Sequence, residues 1–256
     1  MSQETGRVHS HIENNIGYVT FFHPQSNSLP GQVLRDLAAA IEAMGTNDEA
    51  RVIILQSEGE KAFCAGASFD ELIAIDDHAT GTYFFSGFAG VINAMRKTPK
   101  FVIARVQGKA VGGGVGLASA ADYTFAVSGA AVKLSELAVG IGPFVVGPAV
   151  ERKVGKSAFT QMTIDATTFH SAEWAKEKGL YAHLYNTVEE MDAAINTLAT
   201  KLSSSNPEAM SMLKKIMWEG TENWDELLIE RAGMSGKLVL SDFTRNAIQK
   251  FKSAAK

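Results

Sequence analysis

Hydrophobic and polar positions alternate clearly only at the start of the chain. Val8 to Phe22 reads as two short strands around Asn14-Asn15-Ile16-Gly17, because Asn and Gly accept the positive φ of a tight hairpin. His23-Pro24 ends the second strand. The period then lengthens. Val33, Leu34, Leu37, Ala38, Ile41 and Met44 recur at helical spacing, with Gly45 as a stop. Val52-Ile53-Ile54-Leu55 is an unbroken apolar run of strand length. Phe63 to Ser68 reads as a small-residue loop before an acidic helix start at Phe69-Asp70-Glu71-Leu72. One long helix is predicted over residues 79–96, closed by Thr98-Pro99.

Strands follow at Phe101–Val106, Asp122–Val127 and Val132–Leu134, with a glycine loop over Gly108–Gly116 that runs into a helix from Leu117. Phe159–Ile164 and Ala172–Lys178 read as helices, the second closed by Gly179. Thr187-Val188-Glu189-Glu190 is a capping box that opens a helix to about Leu202. Asn206-Pro207 opens another. From there the pattern is helical only, over about 207–219, 224–239 and 242–252. A strand–strand–helix rhythm recurs weakly at residues 8–44, 52–96 and 101–121. The expectation is an α/β core over residues 1–190 and a helical region over 191–256.

Composition removes whole classes. Lys and Arg number 24 against 28 Asp and Glu, a net charge of −4, which speaks against a nucleic-acid partner. One Cys excludes a disulfide framework and a Cys-based zinc site. The six His show no metal-ligand spacing, although His9 and His11 share a strand face, so no metal is expected. No 18-residue apolar run, no apolar stretch in the polar first 17 residues and no targeting signature at Ser253–Lys256 were found, so the expectation is cytoplasmic, with no membrane partner.

Nine of the 23 glycines fall between Gly108 and Gly147, which directs attention there. Gly108-Lys109-Ala110-Val111-Gly112-Gly113-Gly114-Val115-Gly116 lies between a strand and a helix. It lacks the Gly-Lys-Ser/Thr ending of a P-loop, and it sits in mid-chain, where a dinucleotide fingerprint does not belong. Ala65-Gly66-Ala67-Ser68 is a second strand-to-helix turn whose small side chains leave amides free to meet a ligand oxygen. In Ser135-Glu136-Leu137 an acid stands among apolar and small neighbours, where its pKa rises toward a value suited to proton transfer. The plainer reading is a helix-start glutamate beside a capping serine. Taken together, two amide-bearing turns and one carboxylate fit an oxyanion hole with a base beside it. Cys64 has no His near it in sequence to activate it. Tyr83-Phe84-Phe85 and Phe88 read equally as core and as pocket wall.

These segments, in this order, resemble the crotonase (enoyl-CoA hydratase/isomerase) superfamily. The resemblance rests on His23-Pro24 with Asn27-Ser28-Leu29, Ala62 to Ala67, the triple glycine running into Ala120-Ala121-Asp122, Ser135-Glu136 and the helical tail. It implies a spiral of strand–strand–helix units, a C-terminal helical oligomerisation region, and a homotrimer or dimer of trimers. It implies an acyl-CoA thioester as substrate, with coenzyme A part of that substrate and no separate cofactor. Carried over, the amides of Ala67 and Gly113 form the oxyanion hole and Glu136 is the acid/base. The Ala65 carbonyl meets the adenine, and Gly66, Ser68, Phe85, Gly112, Gly114, Gly116 and Phe144 contact substrate. Hydratases of the family keep a second glutamate where this chain has Gly116. A single glutamate resembles the 3-enoyl to 2-enoyl isomerases, with hydration, acyl-CoA hydrolysis and non-catalytic binding as alternatives. CoA phosphate contacts are expected from elsewhere, for example Lys250 or Lys252 of a neighbouring subunit, since Asp70 stands where a basic residue is common.

Overall fold

The structure, a computed structural model, describes residues 6–254. The start of the polar N-terminal stretch, the end of the Ser253–Lys256 tail and the Lys252 side chain lie outside the described residues. The hairpin forms as expected. β1 (Arg7–Glu13) pairs antiparallel with β2 (Ile16–Phe22), and Asn14 and Asn15 both take positive φ between them. His9 and His11 stack 5.6 Å apart on the same face of β1. α1 (Gly31–Thr46) buries Val33, Leu34, Leu37, Ile41 and Met44 as its periodicity requires.

The rest of the core alternates between two sheets. β3 (Val52–Ser57), β5 (Val102–Val106), β7 (Tyr123–Val127) and β9 (His183–Tyr185) extend the hairpin in parallel, giving the order β1-β2-β3-β5-β7-β9. Val52 to Leu55 is buried on both faces, which explains the unbroken apolar run. The alternate strands β4 (Ala62–Cys64), β6 (Lys109–Val111) and β8 (Val132–Lys133) form a smaller parallel sheet. Each chain excursion thus lays one strand in each sheet before a helix: α2 (Phe69–Ala74) and α3 (His78–Lys97) after β4, and α4 (Gly113–Ala120) after β6.

Several boundaries differ from the sequence expectation. The glycine stretch is not one loop: Lys109–Val111 pairs with β4 and β8, and α4 already begins at Gly113. The loop expected at Phe63 likewise starts as strand. The helix expected at Phe159 begins at Gly147 (α5, Gly147–Ile164). Gly155, at φ 77° and ψ 159°, kinks it and hides its first half from the periodicity. β9 was not anticipated, being three residues long at a sheet edge. The later helices are α6 (Ala172–Glu177), α7 (Val188–Ser203), α8 (Pro207–Met217), α9 (Trp224–Leu238) and α10 (Asp242–Ala254).

These later helices clasp the core. α9 crosses α3 so closely that a Cβ on Gly81 would lie 2.8 Å from the Gly236 backbone. α8 is anchored by Asp122, whose carboxylate pairs with the buried Lys214 and accepts hydrogen bonds from Trp218 Nε1 (2.8 Å) and the Val102 amide (2.7 Å). Lys153 reaches the Ala121 carbonyl at 2.7 Å beside it, and burial brings its pKa down to about 8. Among the described residues, no helix is long and apolar enough to cross a membrane.

Candidate active site

β4, β6 and β8 run parallel, so their C-terminal ends open at one edge. Ligands meet parallel sheets at such an edge. The segments that leave it are Ala65-Gly66-Ala67, Gly112-Gly113 and Leu134-Ser135-Glu136, which are the three segments singled out from the sequence. They meet in one cavity.

The first turn aims an amide by its pairing. Ala67 forms a parallel bridge with Leu29, in which Leu29 N–H donates to the Gly66 carbonyl (2.7 Å) and Ser68 N–H donates to Leu29 (3.1 Å). That pattern leaves Ala67's own N–H on the opposite side, toward the cavity. In the second turn Gly113 is the first residue of α4, so its N–H has no partner within the helix. Among the described residues neither amide has a protein acceptor. The turns touch: a Cβ on Gly66 would stand 3.0 Å from the Val111 carbonyl and 3.5 Å from the Gly113 nitrogen. Gly66 at φ +90° and Gly112 at φ 53°, ψ −117° both hold conformations that suit glycine.

Glu136 faces this pair across Gly112, where a Cβ would come within 3.0 Å of Glu136 Oε1. The residue as a whole is partly exposed, but Oε2 is shut off from solvent and has no hydrogen-bond partner. Burial pushes its pKa up to about 7. Among the described residues it is the only ionisable side chain lining the cavity. The segment is held by a 3-10 turn, Leu137–Val139, and by Ile141 N–H donating to the Glu136 carbonyl at 2.9 Å. α10 packs over that turn, with Phe243 and Thr244 against Gly140.

The remaining walls are apolar. Phe85 and Phe88 come from α3, Phe69 and Leu72 from α2, and Phe144 and Val146 from the segment entering α5. Of the expected contact residues, Ala65, Gly66, Phe85, Gly112 and Phe144 line the cavity. Ser68, Gly114 and Gly116 do not. The Ser68 hydroxyl caps α2. A Cβ on Gly114 would collide with the Cys64 carbonyl at 2.5 Å, and one on Gly116 with Val146 Cγ1 at 2.4 Å. Asp122 is turned away in the α8 anchor. Cys64 is buried, its thiol pushed up to about 12. Val146 and Ser235 went unnoticed in the sequence. Ser235 reaches the cavity from α9, and nothing local to it announces the contact.

The enoyl-CoA hydratase/isomerase family model matches residues 11–254. The chain belongs to that family. Human mitochondrial methylglutaconyl-CoA hydratase is 32% identical over 200 residues, covering 77% of this chain and 58% of that protein. The chain therefore spans about three fifths of the length of that relative. Carnitinyl-CoA dehydratase from Salmonella enteritidis is 33% identical over 209 residues, covering 80% and 78%. The crystal structure of enoyl-CoA hydratase from Bacillus halodurans superposes with a TM-score of 0.87 at 20% identity, covering 95% of this chain and 99% of that one. The two-sheet spiral is thus the crotonase fold.

Proposed function

We propose that the chain is an acyl-CoA enzyme that isomerises 3-enoyl to 2-enoyl thioesters. The Ala67 and Gly113 amides hold the thioester oxygen as it gains charge, which favours the enolate over the ground state. Glu136 as carboxylate takes a proton from the carbon beside the carbonyl and returns it to the γ-carbon, moving the double bond into conjugation. A carboxyl with a pKa near 7 both takes and gives a proton near neutrality. The observation that carries this reading is the single unpartnered Glu136 carboxyl facing two free amides in an apolar cavity.

Isomerisation moves one proton between two carbons and needs one carboxyl. Hydration must also position water, and Val146 occupies the place from which a second acid would do so. Hydration is the second reading, favoured by the names of the relatives. Hydrolysis has little support: Cys64 is buried with a raised pKa, and the Ser68 hydroxyl is committed to capping α2. The Ala65 carbonyl serves the adenine, and no cofactor beyond the substrate's coenzyme A is required. A cytoplasmic homotrimer or dimer of trimers suits the apolar stripe Met212, Leu213, Ile216 and Met217 exposed on α8.

Crotonyl-CoA hydration and 3-hexenoyl-CoA isomerisation, assayed side by side, test the reading. Glu136→Gln is expected to lower the dominant activity about 10²- to 10⁴-fold. Retention of full activity by that variant sinks the mechanism.

A further inference from the structure

The turn over residues 23–29, which joins β2 to α1, lines no part of the cavity among the described residues. It nevertheless grips the segment that carries the Ala67 amide. Ala65 N–H donates to the Ser26 carbonyl (3.2 Å), Leu29 N–H to the Gly66 carbonyl (2.7 Å) and Ser68 N–H to the Leu29 carbonyl (3.1 Å). These three bonds bracket Ala67. The other neighbour of the segment is the entry to α4, where Gly66 lies against Val111 and Gly113. The direction of the Ala67 amide therefore depends on where residues 26–29 sit.

Asn27 sets that place. It is buried, and its side-chain amide is occupied on both sides. Oδ1 accepts from the His23 N–H (2.9 Å), and Nδ2 donates to the carbonyls of Glu58 (2.8 Å) and Ala62 (3.0 Å). One side chain thus ties the turn after β2 to the residue after β3 and to the first residue of β4. An N–H on one side and two carbonyls on the other fix which way round the amide stands, because the reverse would set oxygen against oxygen. The backbone asks for the same residue type: Asn27 takes φ 56°, a left-handed conformation that asparagine accepts more readily than most residues with a Cβ. Ser28 Oγ meets His23 Nδ1 at 3.0 Å and closes the same turn.

We propose that Asn27 is a positioning residue for the oxyanion hole: its amide holds the turn so that the Ala67 N–H points at the thioester oxygen. This rests on the reading of Ala67 and Gly113 as that hole. A preorganised donor works only if it meets the oxygen at hydrogen-bond distance as charge develops there. Without the three Asn27 bonds, β4 and the turn are free to shift against each other, and Ala67 shifts with them. The cavity walls still hold the substrate, so the loss falls on the chemical step more than on binding.

The test uses Asn27→Gly, which keeps the positive φ and removes all three bonds, and Asn27→Asp, which keeps the acceptor for His23 but sets a carboxylate oxygen against the two carbonyls. One readout is kcat and KM for the dominant activity. The other is the absorption of bound 4-dimethylaminocinnamoyl-CoA, a push–pull chromophore whose band moves to the red when donors polarise its carbonyl. Both variants are expected to lower kcat about tenfold or more, with KM within about threefold of wild type, and to lose most of the red shift that wild type produces. Either kcat or the red shift staying at the wild-type level in a folded variant overturns the proposal. Failure of both variants to fold also overturns it, since Asn27 then serves the fold alone. If wild type itself produces no red shift, the oxyanion-hole reading fails and takes this inference with it.

Discussion

Glu136 is kept in a state that works against folding. Its pKa rises from 4.5 to about 7 because the carboxyl is buried. Between those values the unfolded chain has already released the proton while the folded chain still holds it. Stability from this residue is therefore fully present below about pH 4.5 and is lost as pH rises through about 7. At higher pH the charged carboxyl costs about 2–3 kcal/mol. Glu136→Gln is therefore expected to be more stable than wild type at pH 8 by that order, and equal to it near pH 4.5, in urea unfolding across the pH range. On the proposed mechanism catalysis runs the other way: kcat/KM, which would need the carboxylate, should climb with pH and level off above about 7. An unchanged or lowered stability of the Gln variant at pH 8 would show that the carboxyl is solvated after all. The sequence marked this residue as an acid among apolar and small neighbours, a pattern whose plainer reading is a helix-start glutamate, and its proton-transfer role was read from the three segments together and from the family resemblance.

At the scale of elements, the spacing of apolar residues carried α1 and α3, each of which buries one face, and a capping box carried α7. It did not carry β6 or β9. Each is three residues long and exists through partners distant in sequence, which no local pattern encodes. The most consequential contact of this kind is Val146 from the start of α5 against Gly116 of α4. Gly116→Glu alone is expected to overpack the joint and cost about 1–3 kcal/mol. Gly116→Glu with Val146→Ala opens space for a second acid. The double variant should raise the ratio of crotonyl-CoA hydration to 3-hexenoyl-CoA isomerisation at least about tenfold over wild type. An unchanged ratio would mean that the missing acid is not what sets the reaction.

Across the whole molecule, the late helices matter because they complete the candidate site, whose Ala67, Gly113 and Glu136 lie in the first two thirds of the chain. α9 walls that cavity through Ser235, and α10 braces the turn that carries Glu136. The sequence marked these helices by their helical pattern, and α8 by its Asn206-Pro207 start, but not where they dock, because docking depends on close approaches such as Gly81 to Gly236. The Asp122 anchor holds α8 to the sheet. Asp122→Ala leaves Lys214 buried without its partner and should cost about 3–5 kcal/mol, read as a fall in the urea midpoint. Asp122→Asn with Lys214→Met removes both charges and should cost clearly less. Equal losses in the two variants would show that the pair is solvated.

Cys64 gives the molecule a built-in clock. It is the chain's one thiol, it sits at the end of β4 just before the Ala67 turn, and the backbone of α4 closes over it at Gly114. With its pKa near 12 and no access from solvent, it is chemically silent in the closed fold. A reagent reaches it only when the packing around it opens, and part of that packing is α4 at Gly114, next to the Gly113 amide proposed to hold the thioester oxygen. The rate at which this thiol becomes reactive therefore reports how often the packing around the β4–α4 joint opens.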